Sequence, residues 1–194
     1  MKNLIHPILF LFFLIQTQFS FAQIEDFTPT INNSATGATI NFENKTHSFT
    51  LNVSGKKINP LPNNGKQNYL SIDGFVLQYL TVPFQEKIDY AKLSLGKKKD
   101  FLLDYERYEM DYIKSNLKVK NLEVKFKYLT LNGNIFLLWF YDMPKKSMAN
   151  VKQQCYLITV CFDNMFVLNS PVSDNIEDTM DFLVKTGNTL KIIR

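Results

Sequence analysis

The sequence is poor in the side chains that most catalysis and metal binding require. It holds two histidines and two cysteines in 194 residues. One histidine, His6, sits in an apolar leader, which leaves His47 alone in the remainder. A lone histidine excludes a His–His metal site and weakens any nucleophile–histidine dyad. No phosphate-binding loop is present. Charge of one sign is also scarce: the formal net charge is +4, and the lysines are scattered or paired with acids. That balance is too mild for nucleic acid. Lys97-Lys98-Lys99 reads as a solvated loop or a helix start rather than a phosphate patch. Beyond the leader no apolar run reaches the ~20 residues needed to cross a bilayer. Repeats at solenoid periods are absent.

The first 22 residues have the parts of a secretory signal. Lys2 is their only charge, Ile8 to Ile15 is apolar, and Ser20-Phe21-Ala22 places small residues before Gln23. Cleavage after Ala22 and export to the periplasm or the medium are therefore expected, with no membrane span retained. With no cysteine near the cleavage point, a lipid anchor is not expected. Export permits a disulfide. Cys155 and Cys161, however, lie six residues apart on one predicted strand, roughly 20 Å at ~3.3 Å per residue. A disulfide needs Cα atoms within about 7 Å. Both are expected to be buried free thiols acting as small apolar groups.

Residues 23–37 are polar and turn-rich and read as a loose N-terminal segment; residues 38–194 read as one domain. A hairpin about Asn44-Lys45 would pair Ile40 with Phe49 and Phe42 with His47. Residues 55–68 read as a loop. A strand is expected from Tyr69 to Val82, kinked at Gly74 and stopped by Pro83. Phe84, Ile88, Ala91 and Leu95 share one helical face, with Gly96 at the C-cap position. A second helix is expected over 99–116, burying Phe101, Tyr105, Tyr108 and Tyr112.

Asn132-Gly133 is the strongest turn signal in the chain. Folding there pairs Tyr128 with Leu137, Phe126 with Trp139, and Val124 with Tyr141, all apolar on one face. A slip of one residue would destroy that pattern. Residues 135–141 are apolar on both faces, which marks a strand covered on both sides, with a helix on each. A second hairpin is expected to turn at Asp163-Asn164, with a return strand over 165–168 ended by Pro171. A last helix begins at Asp174, capped by Asp174 and Glu177; Ile176, Met180, Leu183, Gly187 and Leu190 form its apolar face. The class is α+β: an antiparallel sheet of about six to seven strands, helices packed on it, and a C-terminal helix.

The Asn132-Gly133 hairpin, the Trp139–Pro144 strand end, the Gln153–Phe162 strand and the helix from Asp174 give an element order that resembles the PsbP-like α/β/α sandwich. The resemblance covers about Tyr69 to Arg194. It implies a non-enzymatic accessory, binding or assembly role, and it brings no shared catalytic residues. The two helices read between the third strand and the Asn132-Gly133 hairpin depart from that pattern, which has one.

The remaining residues offer little chemistry. His47 reads as a half-buried strand residue opposite Phe42. Glu106, Glu109 and Asp111 read as solvated helix positions. Asp174, Glu177, Asp178 and Asp181 suit the N-terminal dipole of the last helix, without the glycine-containing loop that calcium usually uses. The expectation is no catalytic residue, no metal and no cofactor. What is abundant is aromatic: 17 Phe, 9 Tyr and 1 Trp. Phe101, Tyr105, Tyr108 and Tyr112 form the candidate partner or ligand face, because tyrosine tolerates a wet edge. The first functional reading is an exported binding or accessory protein, of inhibitor or immunity type, whose partner is another envelope or secreted protein. A small-molecule or lipid carrier with an aromatic cavity comes second, and a carboxylate hydrolase third.

Overall fold

The computed structural model describes residues 26–61, 68–84, 88–144 and 150–193. Residues 1–22, read above as a secretory signal, lie outside them. The architecture is α+β, as expected, with every paired strand antiparallel. A large sheet holds β4 (Ile58–Pro60), β5 (Asn68–Ile72), β6 (Phe75–Pro83), β7 (Val124–Leu131), β8 (Asn134–Asp142), β9 (Gln153–Cys161) and β10 (Asn164–Val172), in the order β4-β5-β6-β10-β9-β8-β7. A small second sheet, which was not expected, holds β1 (Thr28–Ser34), β2 (Gly37–Glu43), β3 (Ser48–Ser54) and β11 (Lys191–Ile192). The helices are α1 (Leu95–Leu117) and α2 (Ile176–Gly187). No described helix is long and apolar enough to cross a membrane.

The Asn132-Gly133 hairpin forms with the expected register: Val124 opposes Tyr141, Phe126 opposes Trp139, and Tyr128 opposes Leu137. Both turn residues have positive φ, 45° and 78°, as a type I′ turn demands. The expected strand over 69–82 is instead two strands. Asp73 and Gly74 also have positive φ, 47° and 97°, so the expected kink is a complete turn. Asp73 pins it by accepting hydrogen bonds from the Lys56 and Lys57 amides at 3.0 and 2.8 Å. The first hairpin pairs Phe42 with Phe49, not with His47. A shift of two residues keeps each side chain on its face, so Ile40, Phe42, Phe49 and Leu51 are all buried. The last hairpin turns one residue early, at Phe162-Asp163, with Cys161 opposite Asn164. β10 runs through Pro171; its ladder with β6 ends at Asn169, so the missing N–H breaks no pair there.

The segment expected to be loose carries β1, which pairs with β2 along its whole length. β1 is an edge strand. Its backbone pairing and two apolar contacts, from Phe27 and Ile31, suffice, so its composition stays polar. The helix expected around Phe84 to Leu95 is absent among the described residues there. A single 3₁₀ turn, Tyr90–Lys92, takes its place, and Ser94 caps α1 by accepting from the Lys97 amide. Gly96 thus opens a helix rather than closing one. Among the described residues one α-helix, not two, precedes the Asn132-Gly133 hairpin. α2 begins one residue later than expected and uses Asn175, which accepts from the Glu177 amide at 3.0 Å.

Both faces of the large sheet are covered, with a helix on each. The small sheet and α2 lie on one face, where Phe42 stacks on Phe49 at 4.5 Å and both meet Phe166 edge-on at 5.2 Å. α1 lies on the other, over Leu137, Trp139, Tyr141 and Ile158. Gly187 brings α2 close to β9: a Cβ there would stand 2.6 Å from Leu157 Cδ2. Thr189 then ties the chain to β3. Its hydroxyl accepts from the Asn52 amide at 2.9 Å and lies within donating distance of the Asn52 and Thr186 carbonyls, at 2.8 and 2.7 Å.

Candidate functional site: the aromatic flank of α1

The four aromatic residues expected to form one buried stripe are divided. The buried face of α1 is Leu102, Glu106, Met110 and Ile113. The aromatic stripe has the same spacing but is rotated to one flank. Phe101 is half-buried and meets Phe84 edge-on at 4.9 Å and Tyr90 at 5.7 Å. Tyr105 is half-buried, and its hydroxyl is pushed up by burial and then by the Glu109 charge. Tyr108 and Tyr112 project outward, 69% and 60% exposed. The true core stripe was legible as Leu102, Met110, Ile113 and Leu117, but Glu106 interrupts it and hid it.

Glu106 is the correction of most consequence. Expected on a solvated face, it is only 5% exposed. Burial raises its pKa above the ordinary carboxylate value, partly offset by Arg107 and Lys114. Glu109 is raised by burial as well. Below them Trp139 stacks on Tyr156 at 4.0 Å with the two rings nearly parallel, and Tyr141 lies alongside at 6.1 Å. The Tyr141 and Tyr156 rings lie 6.3 Å apart, and burial raises both hydroxyls. The Trp139 Nε1–H finds no partner among the described residues.

An open cleft of about 720 Å³ lies at the end of the two layers, lined by His47, Asp89, Tyr90, Lys98, Phe162 and Asp163 among others. His47 does not oppose Phe42; its ring lies 4.0 Å from Phe162, and its Nδ1 is 2.8 Å from the Thr46 hydroxyl. Asp89 is held below its ordinary value chiefly by its hydrogen bond to Lys92, whose Nζ is 2.7 Å away. Acid–base catalysis by two carboxylates needs one of them raised. The raised carboxyls, Glu106 and Glu109, belong to α1 and do not line this cleft.

Both cysteines are free and buried, facing the small sheet. Burial pushes the Cys155 thiol up to about 12 and raises Cys161 too. Thiols so raised are poor nucleophiles at neutral pH. Among the described residues no group of three or more histidine, cysteine, aspartate or glutamate side chains is placed to hold a metal ion. No family model matches this sequence, and no curated protein matches it.

Proposed function

We propose that this protein is an exported, non-enzymatic binding or accessory protein that engages another envelope or secreted protein through the outer flank of α1. The observation that carries the reading is the exposure of Tyr108 and Tyr112 one turn apart, on a helix already sealed to the sheet by Leu102, Met110 and Ile113. Folding does not need those two rings. Tyrosine is the residue type that recurs as an interface anchor, since it joins a large apolar area to a hydroxyl that tolerates water. The half-buried Tyr105 and Phe101 give the pair a firm base. An inhibitor or immunity-type role fits a surface that binds without reacting. The PsbP-like element order points to the same kind of accessory role.

The carrier reading is weaker. The space between the sheets is filled by Phe42, Phe49, Tyr79 and Phe166, with ring centroids 4.5 to 5.9 Å apart. The test is side-by-side capture from the cell envelope and culture fluid by the wild-type protein and by Tyr108→Ala/Tyr112→Ala. A stoichiometric protein held by the first and lost by the folded second is the expected result. Equal capture by both removes this face from the account.

A further inference from the structure

The large sheet ends in one long open edge. β7 is its terminal strand, with β8 on one side and, among the described residues, no strand on the other. The remaining edges are blunted. β1 carries Pro29, β4 is three residues long and ends in Pro60, and β11 is two residues long. β7 runs eight residues without proline. The two-residue turn fixes which of its backbone groups are free. The pair flanking such a turn, Leu131 and Asn134, exchanges both hydrogen bonds, and the pattern alternates from there. Val124, Phe126, Tyr128 and Thr130 therefore aim their N–H and C=O groups away from β8.

The side chains say which strand would fit. Lys125 and Lys127 are exposed on the small-sheet face of β7, and neither is in an ion pair among the described residues. Lys125 Nζ rests 5.9 Å from the Phe140 ring. On the opposite face Phe126 is 49% exposed, in edge-on contact with Tyr128 at 6.0 Å. A second copy of β7 added antiparallel would set lysine against lysine, which is destabilising. An extended segment with acids on one face and apolar side chains on the other meets both faces.

We propose that the β7 edge is a strand-addition site for an extended acidic segment of a partner protein. The new strand pairs with Val124, Phe126, Tyr128 and Thr130. Its carboxylates lie against Lys125 and Lys127, and an apolar side chain covers Phe126. The backbone supplies affinity and the lysines supply selectivity. This surface is separate from Tyr108 and Tyr112, so the two proposals fail independently.

The probe is a capped heptapeptide of alternating valine and aspartate, titrated into the isotope-labelled protein and followed by amide shifts. Saturable binding with shifts clustered on 124–130 is expected. A valine–lysine peptide should bind about tenfold more weakly or worse, a difference of ~1.4 kcal/mol. Lys125→Glu/Lys127→Glu should reverse that preference. Thr130→Pro removes an outward N–H without touching the β8 ladder, and should weaken the aspartate peptide at least tenfold. Tyr108→Ala/Tyr112→Ala should leave it unchanged. Shifts elsewhere, no saturable binding at millimolar peptide, or equal affinity for both peptides would overturn the proposal. So would a free protein that dimerises until Thr130→Pro is introduced, which would make the occupant a second copy. If Thr130→Pro does not fold, the charge-reversal variant decides: an unchanged preference overturns the proposal.

Discussion

The two faces of the large sheet are built differently. Toward the small sheet, Phe42, Phe49, Phe166, Leu157 and Leu168 interlock with almost no exposure. Toward α1, the buried layer includes a carboxyl, Glu106, and an unpartnered indole N–H on Trp139. Among the described residues the sandwich face has two comparable lapses, the Ser170 hydroxyl and the Oδ1 of Asn164, which lies opposite Cys161. Burying a polar group without a partner costs stability. What sets the α1 face apart is the buried carboxyl of Glu106, the one charged side chain buried among the described residues, and it is also the face whose helix presents aromatic rings to solvent. One layer holds the molecule together; the other carries the groups that folding does not explain.

That contrast is open to test by substitution. Phe49→Ala opens a void beside the rings of Phe27, Phe42 and Phe166 and is expected to cost about 3–5 kcal/mol in denaturant unfolding. A loss comparable to that of a surface change would show that the sandwich is not the stabilising layer. Gly187→Ala forces a methyl group against Leu157 Cδ2. The expected cost is about 1–3 kcal/mol, since Leu157 must shift within a full core. Thr189→Val removes the hydroxyl that accepts from the half-buried Asn52 amide, for about 1 kcal/mol.

Glu106 gives a pH signature to the α1 layer. Its folded pKa is raised above the unfolded value. At low pH both states are protonated and the group costs nothing. As pH rises, the unfolded chain ionises first, so stability falls until the raised folded pKa is passed. Arg107 and Lys114 moderate this fall, and Asp111 adds to it. Glu106→Gln should flatten the decline and raise stability at neutral pH. An unchanged pH profile would place the carboxyl in water. The smallest expected effect is that of Tyr108→Ala/Tyr112→Ala, within about 0.5 kcal/mol of wild type, as for exposed positions generally.

Sequence legibility cut across the two layers. The Asn132-Gly133 register could be read because a two-residue turn and an alternating apolar pattern impose it together. The buried, unpaired cysteines followed from strand spacing alone. Asp73-Gly74 is as strong a turn signal as Asn132-Gly133, yet it sits inside a continuous apolar run, which made a kink look sufficient. β1 leaves little trace in the sequence because an edge strand anchored by Phe27 and Ile31 needs little apolar sequence. The spacing of the aromatic stripe marks the helix α1, but not which of its faces meets the sheet. A glutamate in the core stripe, costly to bury, made the true face look polar.

The central claim is that Tyr108 and Tyr112 recognise a protein while contributing nothing to folding. The most direct measurement couples two readings on one variant. Wild-type protein and Tyr108→Ala/Tyr112→Ala are compared for thermal unfolding and for stoichiometric capture of a partner from the envelope and medium. The account predicts matching unfolding curves and capture by the wild type alone. Matching curves with equal capture, or a variant that unfolds several degrees earlier, would contradict it.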